Sequence, residues 1–408
     1  MVNYHLNDNV FREYDIRGIV DNDFSKEFIY NLGQAAGTHF INIGEKSIGV
    51  SGDLRITTKF IKEHLVEGLL NTGINVVDLG SLPTPVNYYS MYALDHINCS
   101  IQITGSHNSM DYNGFKISYD RAPFYGKDIQ LLKEIMKESI YKRGKGSLSK
   151  TDLLSSYSKL LKDKISINRK LSISMDCLNS CGALIAPQIF KDLGIDLHEI
   201  NCNSNEQCPS HSPDPTLDSN LVNLVDSVLK QKCDFGIAYD GDADRLVVID
   251  EKGQIIRSDI LLAFFVKELI NKEDSVVFDV KCSKSVEDVI KLKGGNSIMS
   301  KTGHTYIKDR MKESGAIIGG EMSGHLFFQD DYYGYDDAIY ASLRLAELIA
   351  NSSNTLSQLI DSIPRYYSSP EVRIECNNDE EKFIITDKLV SYFSERYNCN
   401  CIDGVRIQ

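Results

Sequence analysis

Short apolar runs alternate with amphipathic stretches through most of the chain. Ser47–Val50 is an apolar approach to Ser51-Gly-Asp-Leu-Arg55, and Thr58–Thr72 then carries helical spacing, with Phe60, Ile61, Leu65, Leu69 and Leu70 on one side. Asn75–Leu79 and Ser100–Ile103 read as strands, closed by Gly80 and Gly105. The pattern repeats with a strand at Leu171–Met175 ending in Asp176, a helix at Ala183–Leu193 and a strand at Phe235–Ala238 running into Tyr239-Asp240. A third round predicts a helix over Ser258–Asn271, strands at Ser275–Asp279 and Ala316–Ile318, and a helix over Asp337–Ala350. Strands separated by helices imply crossover connections and parallel or mixed sheets. The fold class expected is α/β: three successive domains with mixed sheets around a cleft, plus an incomplete fourth α+β domain.

The stretches Lys142–Lys150, Asp250–Gly253 and Ile363–Ser369 are the expected boundaries. They divide the chain into residues 1–146, 147–250, 251–362 and 363–408. The last segment predicts a strand at Glu371–Ile374 and a helix at Glu381–Ser394, too little chain to bury a core of its own.

Composition narrows the function. The 408 residues are 42% hydrophobic and 25% charged, ordinary for a globular protein, with a formal net charge of −13. That acidity argues against nucleic acid as a partner, though a local Arg/Lys cluster can still hold a phosphate. The longest apolar run, Ile260–Val266, is far short of the roughly 20 residues that cross a membrane. Asn, Asp and Glu appear early, unlike a signal peptide, so a cytoplasmic location and no membrane partner are expected. The ten cysteines are scattered, and neither Cys202/Cys208 nor Cys399/Cys401 has the spacing of a structural zinc site. Oligomeric state is not legible.

Four segments carry candidate chemistry. In Asp240-Gly-Asp-Ala-Asp-Arg245, carboxylates alternate between apolar flanks, so a loop anchored on core strands would bring Asp240, Asp242 and Asp244 together. Oxygen-only ligands at this density suit Mg²⁺, and a cation relieves their repulsion. Arg245 can neutralise a phosphate or brace the loop. Thr104-Gly-Ser-His-Asn108 presents Ser106 on a loop, with Lys116 close behind, but with neither an elbow motif nor a Ser-His-Asp set, which disfavours hydrolase chemistry. An ordinary polar turn is the competing reading of this loop. Gly319-Gly-Glu-Met-Ser-Gly-His325 offers Glu321, Ser323 and His325 to sugar hydroxyls, and His304 just upstream is a candidate acid–base. Arg17, within Tyr14-Asp-Ile-Arg-Gly18, and Arg55 are candidates for an interior cleft or for the surface.

Together these segments resemble the α-D-phosphohexomutases, and within them the phosphomannomutase/phosphoglucomutase branch. Phe11–Ile19, Thr104–Asn108, Pro213-Asp-Pro215, Asp240–Arg245, Lys301-Thr-Gly-His304 and Gly320–His325 carry the likeness, in order along the chain. The resemblance implies that Ser106 is phosphorylated and that its phosphate, with Asp240, Asp242 and Asp244, holds Mg²⁺. It implies Arg17, Lys116 and Arg245 around the transferring phosphoryl group, His304 moving a proton, and Glu321, Ser323, His325 and Tyr14 on the sugar. The implied reaction interconverts hexose 1- and 6-phosphates through a hexose 1,6-bisphosphate, which doubles as the activator; sugar phosphates are the implied partners.

Met322 stands where the glucosamine branch has Gln, favouring mannose or glucose over a phosphoglucosamine mutase. Two departures fall in the loops. Ala243 replaces a usual Gly, tolerable with φ below zero, and Ser109 replaces a usual Pro. A third is larger: no Arg-x-Ser-Asn-Thr-Glu-Pro loop for the distal phosphate is found. The fourth domain is therefore expected to be truncated, which opens the alternative of a catalytically impaired sugar-phosphate-binding protein. A metal-dependent phosphatase is a further alternative.

Overall fold

The computed structural model describes residues 6–205, 213–367, 369, 372, 374, 376 and 379–407. The first sheet comprises β1 (Ile16–Ile19), β2 (Ser47–Gly52), β3 (Asn75–Ser81), β4 (Cys99–Ile103), β5 (Tyr112–Tyr119), β6 (Ala122–Pro123) and β7 (Leu148–Lys150). Its order is β1-β5-β4-β2-β3-β7, with β6 beside β5. Strands β4, β2, β3 and β7 run parallel, while β5 is antiparallel to β4 and to β1. The pairing of β7 with β3 carries this sheet past residue 146.

The second sheet, β8 (Ser172–Asp176), β9 (Asp196–Ile200), β10 (Phe235–Tyr239), β11 (Leu246–Asp250) and β12 (Ile255–Ile256), is ordered β12-β11-β10-β8-β9. The third, β13 (Ser275–Asp279), β14 (Asn296–Ser300), β15 (Ile318–Gly320) and β16 (Leu326–Phe328), is ordered β14-β13-β15-β16. Both mix parallel and antiparallel pairs.

Local sequence explains the elements. Helix Ile56–Leu70 buries Ile61, Leu65 and Leu69, four residues apart on one stripe, whereas Phe60, expected on that stripe, is exposed. Helix Lys26–Asn42 starts where the Ser25 hydroxyl accepts from the Phe28 N–H at 3.1 Å. The two helices touch backbone to backbone: a Cβ on Gly68 would sit 2.1 Å from the Tyr30 carbonyl oxygen. Helix Ala338–Ala350 is capped by Asp337, which accepts from the Tyr340 N–H at 2.9 Å.

One hydrophobic cluster runs through all three units, from Val77 and Leu79 of the first sheet through Ile173 and Ile237 of the second to Val276 and Phe278 of the third. This shared core sets the three sheets' carboxyl ends, where the loops of interest lie, around a central region.

The fourth unit is small, a helix beside a two-stranded sheet. Helix Asp379–Ser394 leaves Phe383, Ile384, Ile385, Leu389 and Tyr392 exposed, and among the described residues β17 (Cys399–Asn400) pairs only with β18 (Arg406–Ile407). Arg406 Nη1 ties this hairpin to the third unit through the carbonyls of Val280 and Cys282, at 2.6 and 3.0 Å. The strand expected at Glu371–Ile374 includes residues outside those described.

Candidate active site

The loop after β4 carries Ser106 in the left-handed region, at φ 49°. Its N–H is held by the Thr104 hydroxyl at 2.9 Å, and its Oγ donates to Asp240 Oδ2 at 3.1 Å. His107 Nδ1 lies 3.3 Å from the same Oγ. Burial, then Arg245 and Arg17, push the His107 imidazole far down, so it is neutral there.

The loop between β10 and β11 folds its three carboxylates inward. Asp240, Asp242 and Asp244 are fully buried, with one oxygen of each within 4.8 Å of the others. Asp240 Oδ1 accepts the N–H groups of Asp244 and Arg245, each at 3.1 Å. Lys116 Nζ reaches Asp242 and Asp244 at 2.7 and 2.5 Å. Burial raises Asp240 well above the carboxylate range, reinforced by its two acidic neighbours. At Asp242 burial acts upward too, but Lys116 outweighs it and holds that carboxyl well below the range. Burial opposes the charge on Lys116, and the two carboxylates overcome it, raising the ammonium group's pKa. One ammonium cannot satisfy the whole set. Asp242 Oδ1 and Asp244 Oδ1 remain buried without a hydrogen-bond partner. Unpaired carboxylate oxygens facing a common point fit a hard divalent cation.

A second cluster adjoins the first. Asp336 Oδ2 lies 3.1 Å from His325 Nδ1 and 3.4 Å from His304 Nδ1, and its Oδ1 accepts from Lys308 at 2.8 Å. The two imidazoles stack with centroids 5.3 Å apart. Arg245 Nε donates to His325 Nε2 at 3.1 Å, which places that ring's proton on Nδ1, facing the carboxylates. Asp244, His325 and Asp336 bring three ligand-type atoms together, and Asp244 Oδ1, His325 Nδ1 and Asp336 Oδ2 are all buried without a hydrogen-bond partner. Burial, with Lys308, lowers His304 to about 4, so it is neutral near pH 7.

Glu321 follows β15, fully buried, and accepts from the Gly303 N–H at 2.6 Å. Burial pushes its carboxyl up to about 7. Ser323 is half-buried in the turn closed by the Gly324 N–H on the Glu321 carbonyl. Tyr14 bridges the first and third units, donating to the Thr302 carbonyl at 2.9 Å. Arg17, on β1, pairs with Asp15 at 2.5 Å and with the Asn108 side chain of the Ser106 loop. Its Nε is buried without a partner.

The sequence matches the phosphoglucomutase/phosphomannomutase α/β/α domains I, II and III over residues 8–142, 155–253 and 257–367. A phosphomannomutase/phosphoglucomutase of Pseudomonas aeruginosa is 36% identical over 403 residues, covering 98% of this chain and 86% of that protein. The chain belongs to the α-D-phosphohexomutase family. A phosphoglucomutase of Neisseria gonorrhoeae is 34% identical, over 98% of this chain and 88% of its own length. The crystal structure of a family protein from Burkholderia thailandensis superposes with a TM-score of 0.93 at 32% identity, covering 99% of this chain and 89% of that one.

In this phosphohexomutase the structure joins Ser106, Asp240, Asp242, Asp244, Lys116 and Arg245 in one contact network, with Arg17 beside the serine loop through Asn108. His325 links that network to His304 and Glu321 through Asp336 and its own backbone carbonyl. Sequence reasoning missed Asp336 and Thr84. The Thr84 hydroxyl donates to Asp242 Oδ2 at 2.5 Å, and its N–H donates to the Asp242 carbonyl at 2.9 Å. The adjacent acidic pair in Gly334-Tyr-Asp-Asp337 was the available signal for Asp336; an isolated Thr between two prolines gave none for Thr84. One expectation is corrected. Ala243 adopts φ 58°, not a negative φ, because tight return of the loop places it in the left-handed region. The Ser109 hydroxyl donates to Asp111 Oδ1 at 2.5 Å, an exposed bond within the same loop.

Proposed function

We propose that this phosphohexomutase interconverts the 1- and 6-phosphates of mannose or glucose, through phosphorylated Ser106 and a hexose 1,6-bisphosphate. The observation that carries the reading is the Ser106 hydroxyl set 3.1 Å from a buried aspartate triad that retains unpartnered carboxylate oxygens. The names of the relatives above 30% identity support both hexoses.

Asp240, Asp242 and Asp244 would hold Mg²⁺ with the serine phosphate. When bound, it would neutralise charge on the phosphoryl oxygens. In the first transfer the P–O bond to Ser106 breaks and one to the free sugar hydroxyl forms. Neutral His304 would accept the hydroxyl proton on one ring nitrogen, its Nδ1 lying 3.4 Å from Asp336. Arg17, Lys116 and Arg245 supply positive charge around the phosphoryl group, while Glu321, Ser323, His325 and Tyr14 orient the sugar. The bisphosphate then turns over, and its other phosphate returns to Ser106 as the proton goes back to the sugar oxygen.

The test is conversion of mannose 1-phosphate and glucose 1-phosphate to their 6-phosphates, with Mg²⁺ and catalytic bisphosphate, beside Ser106→Ala. Conversion lost in the variant is expected. Preference for the glucosamine phosphate, release of free phosphate without isomerised sugar, or binding without turnover would each replace this reading with a different one.

A further inference from the structure

Arg55 is buried behind the Ser106 loop, and every one of its guanidinium N–H groups is taken. Nε donates to Asp53 Oδ2 at 3.1 Å. Nη1 donates to the carbonyls of Ser109 and Tyr112 at 2.6 and 3.0 Å. Nη2 donates to the carbonyls of Ser106 and Asn108 at 2.8 and 2.7 Å. A guanidinium has five such hydrogens in a rigid plane, and five acceptors consume them, leaving none for a phosphate. The same Asp53 accepts the Gly105 N–H at 3.1 Å, so both sides of Ser106 are tied to one ion pair. A Cβ on Gly105 would lie 2.4 Å from the guanidinium carbon, which explains the glycine there.

We infer that Arg55 is a positioning residue for phosphoryl transfer. It stitches four carbonyls of residues 106–112 into the shape that holds Ser106 in the left-handed region and aims its Oγ at Asp240. It acts through the serine's own backbone and does not touch substrate. A lysine in its place has three hydrogens on a tetrahedral centre and cannot reproduce a planar array of five. The inference rests on the proposed phosphoserine reading.

The test compares the parent chain, Arg55→Lys and Arg55→Ala for transfer of phosphate from hexose 1,6-bisphosphate to Ser106, followed by intact mass, and for kcat and KM with hexose 1-phosphate. Both variants should lose about a hundredfold in the transfer rate and in kcat, the scale of a misplaced reacting group, with KM unchanged. Methylguanidinium should restore part of the rate to Arg55→Ala, and methylammonium should not; a loss due merely to unfolding shows no such selectivity. If Arg55→Ala does not fold, Arg55→Lys, which keeps the charge and the stem, decides by its kcat alone. Parent-like kcat in a folded variant, or equal rescue by both cations, overturns the inference. A parent chain that takes up no phosphate overturns the phosphoserine reading instead.

Discussion

At the scale of single residues, the site departs from relaxed protein chemistry in two ways. Ser106 and Ala243 both hold positive φ without being glycine, each at a cost on the order of 1–2 kcal/mol, and both lie in the loops that meet at the aspartate triad. Glu321 shows the second departure, a buried carboxyl pushed up to about 7. Between about 4.5 and 7 the folded chain then binds more protons at this group than the unfolded chain, so stability falls as pH rises through that window. A tenfold change in proton affinity is about 1.4 kcal/mol, which makes the loss a few kcal/mol above pH 7. Glu321→Gln should therefore raise the denaturant midpoint at pH 8, leave it unchanged near pH 4, and abolish or greatly slow turnover. Equal midpoints for the two chains at pH 8 would contradict the burial argument. The identities of these residues were legible in the sequence because the motifs name them. Their backbone angles and charge states were not, since both follow from how neighbouring loops close around them.

At the scale of elements, strands such as Ser275–Asp279 and Phe235–Tyr239 were legible as short apolar runs. Strand β5 was not. Phe115, Ile117 and Tyr119 do alternate with Lys116 and Ser118, but the alternation covers only part of the strand, after Asn113-Gly114, and its polar side is buried rather than solvated. Helix Lys26–Asn42 was missed for a related reason: it is buried on several faces and carries Gly33 and Gly37, which weaken its helical signal. Those glycines, with Gly68, set how near the helices approach. Helix propensity alone makes Gly68→Ala stabilising by about 1 kcal/mol. The new methyl would meet the Tyr30 carbonyl oxygen at 2.1 Å, and overpacking of that kind typically costs about 1–3 kcal/mol. The clash wins, so Gly68→Ala should lower the unfolding midpoint. An increase would show that the two helices can separate without loss.

At the scale of the whole molecule, function depends on loops from three sheets meeting in one place. The shared hydrophobic cluster holds them there: Tyr157 of the second segment donates to Asp337 of the third at 2.7 Å, and Tyr239 lies 2.6 Å from Ser342. Such contacts join residues more than a hundred positions apart and leave no local trace in the sequence; Asp336, His325 and His304 are nearer in sequence but stand on separate segments around β15 and β16, so they were not legible as a group either. Among the described residues no helix is long and apolar enough to cross a membrane. The fourth unit contributes a helix with exposed apolar residues and a hairpin whose Asp403 carboxylate accepts from the N–H of Thr302, the same residue whose carbonyl accepts from Tyr14. The central claim is that Ser106 carries the phosphoryl group between substrate molecules. The most direct measurement is intact and peptide mass after incubating the chain with hexose 1,6-bisphosphate and Mg²⁺, then chasing with hexose monophosphate. One phosphate on Ser106 that departs into bisphosphate during the chase is the predicted result. Isomerisation of the sugar with Ser106 never phosphorylated, or with Ser106→Ala fully active, would contradict it.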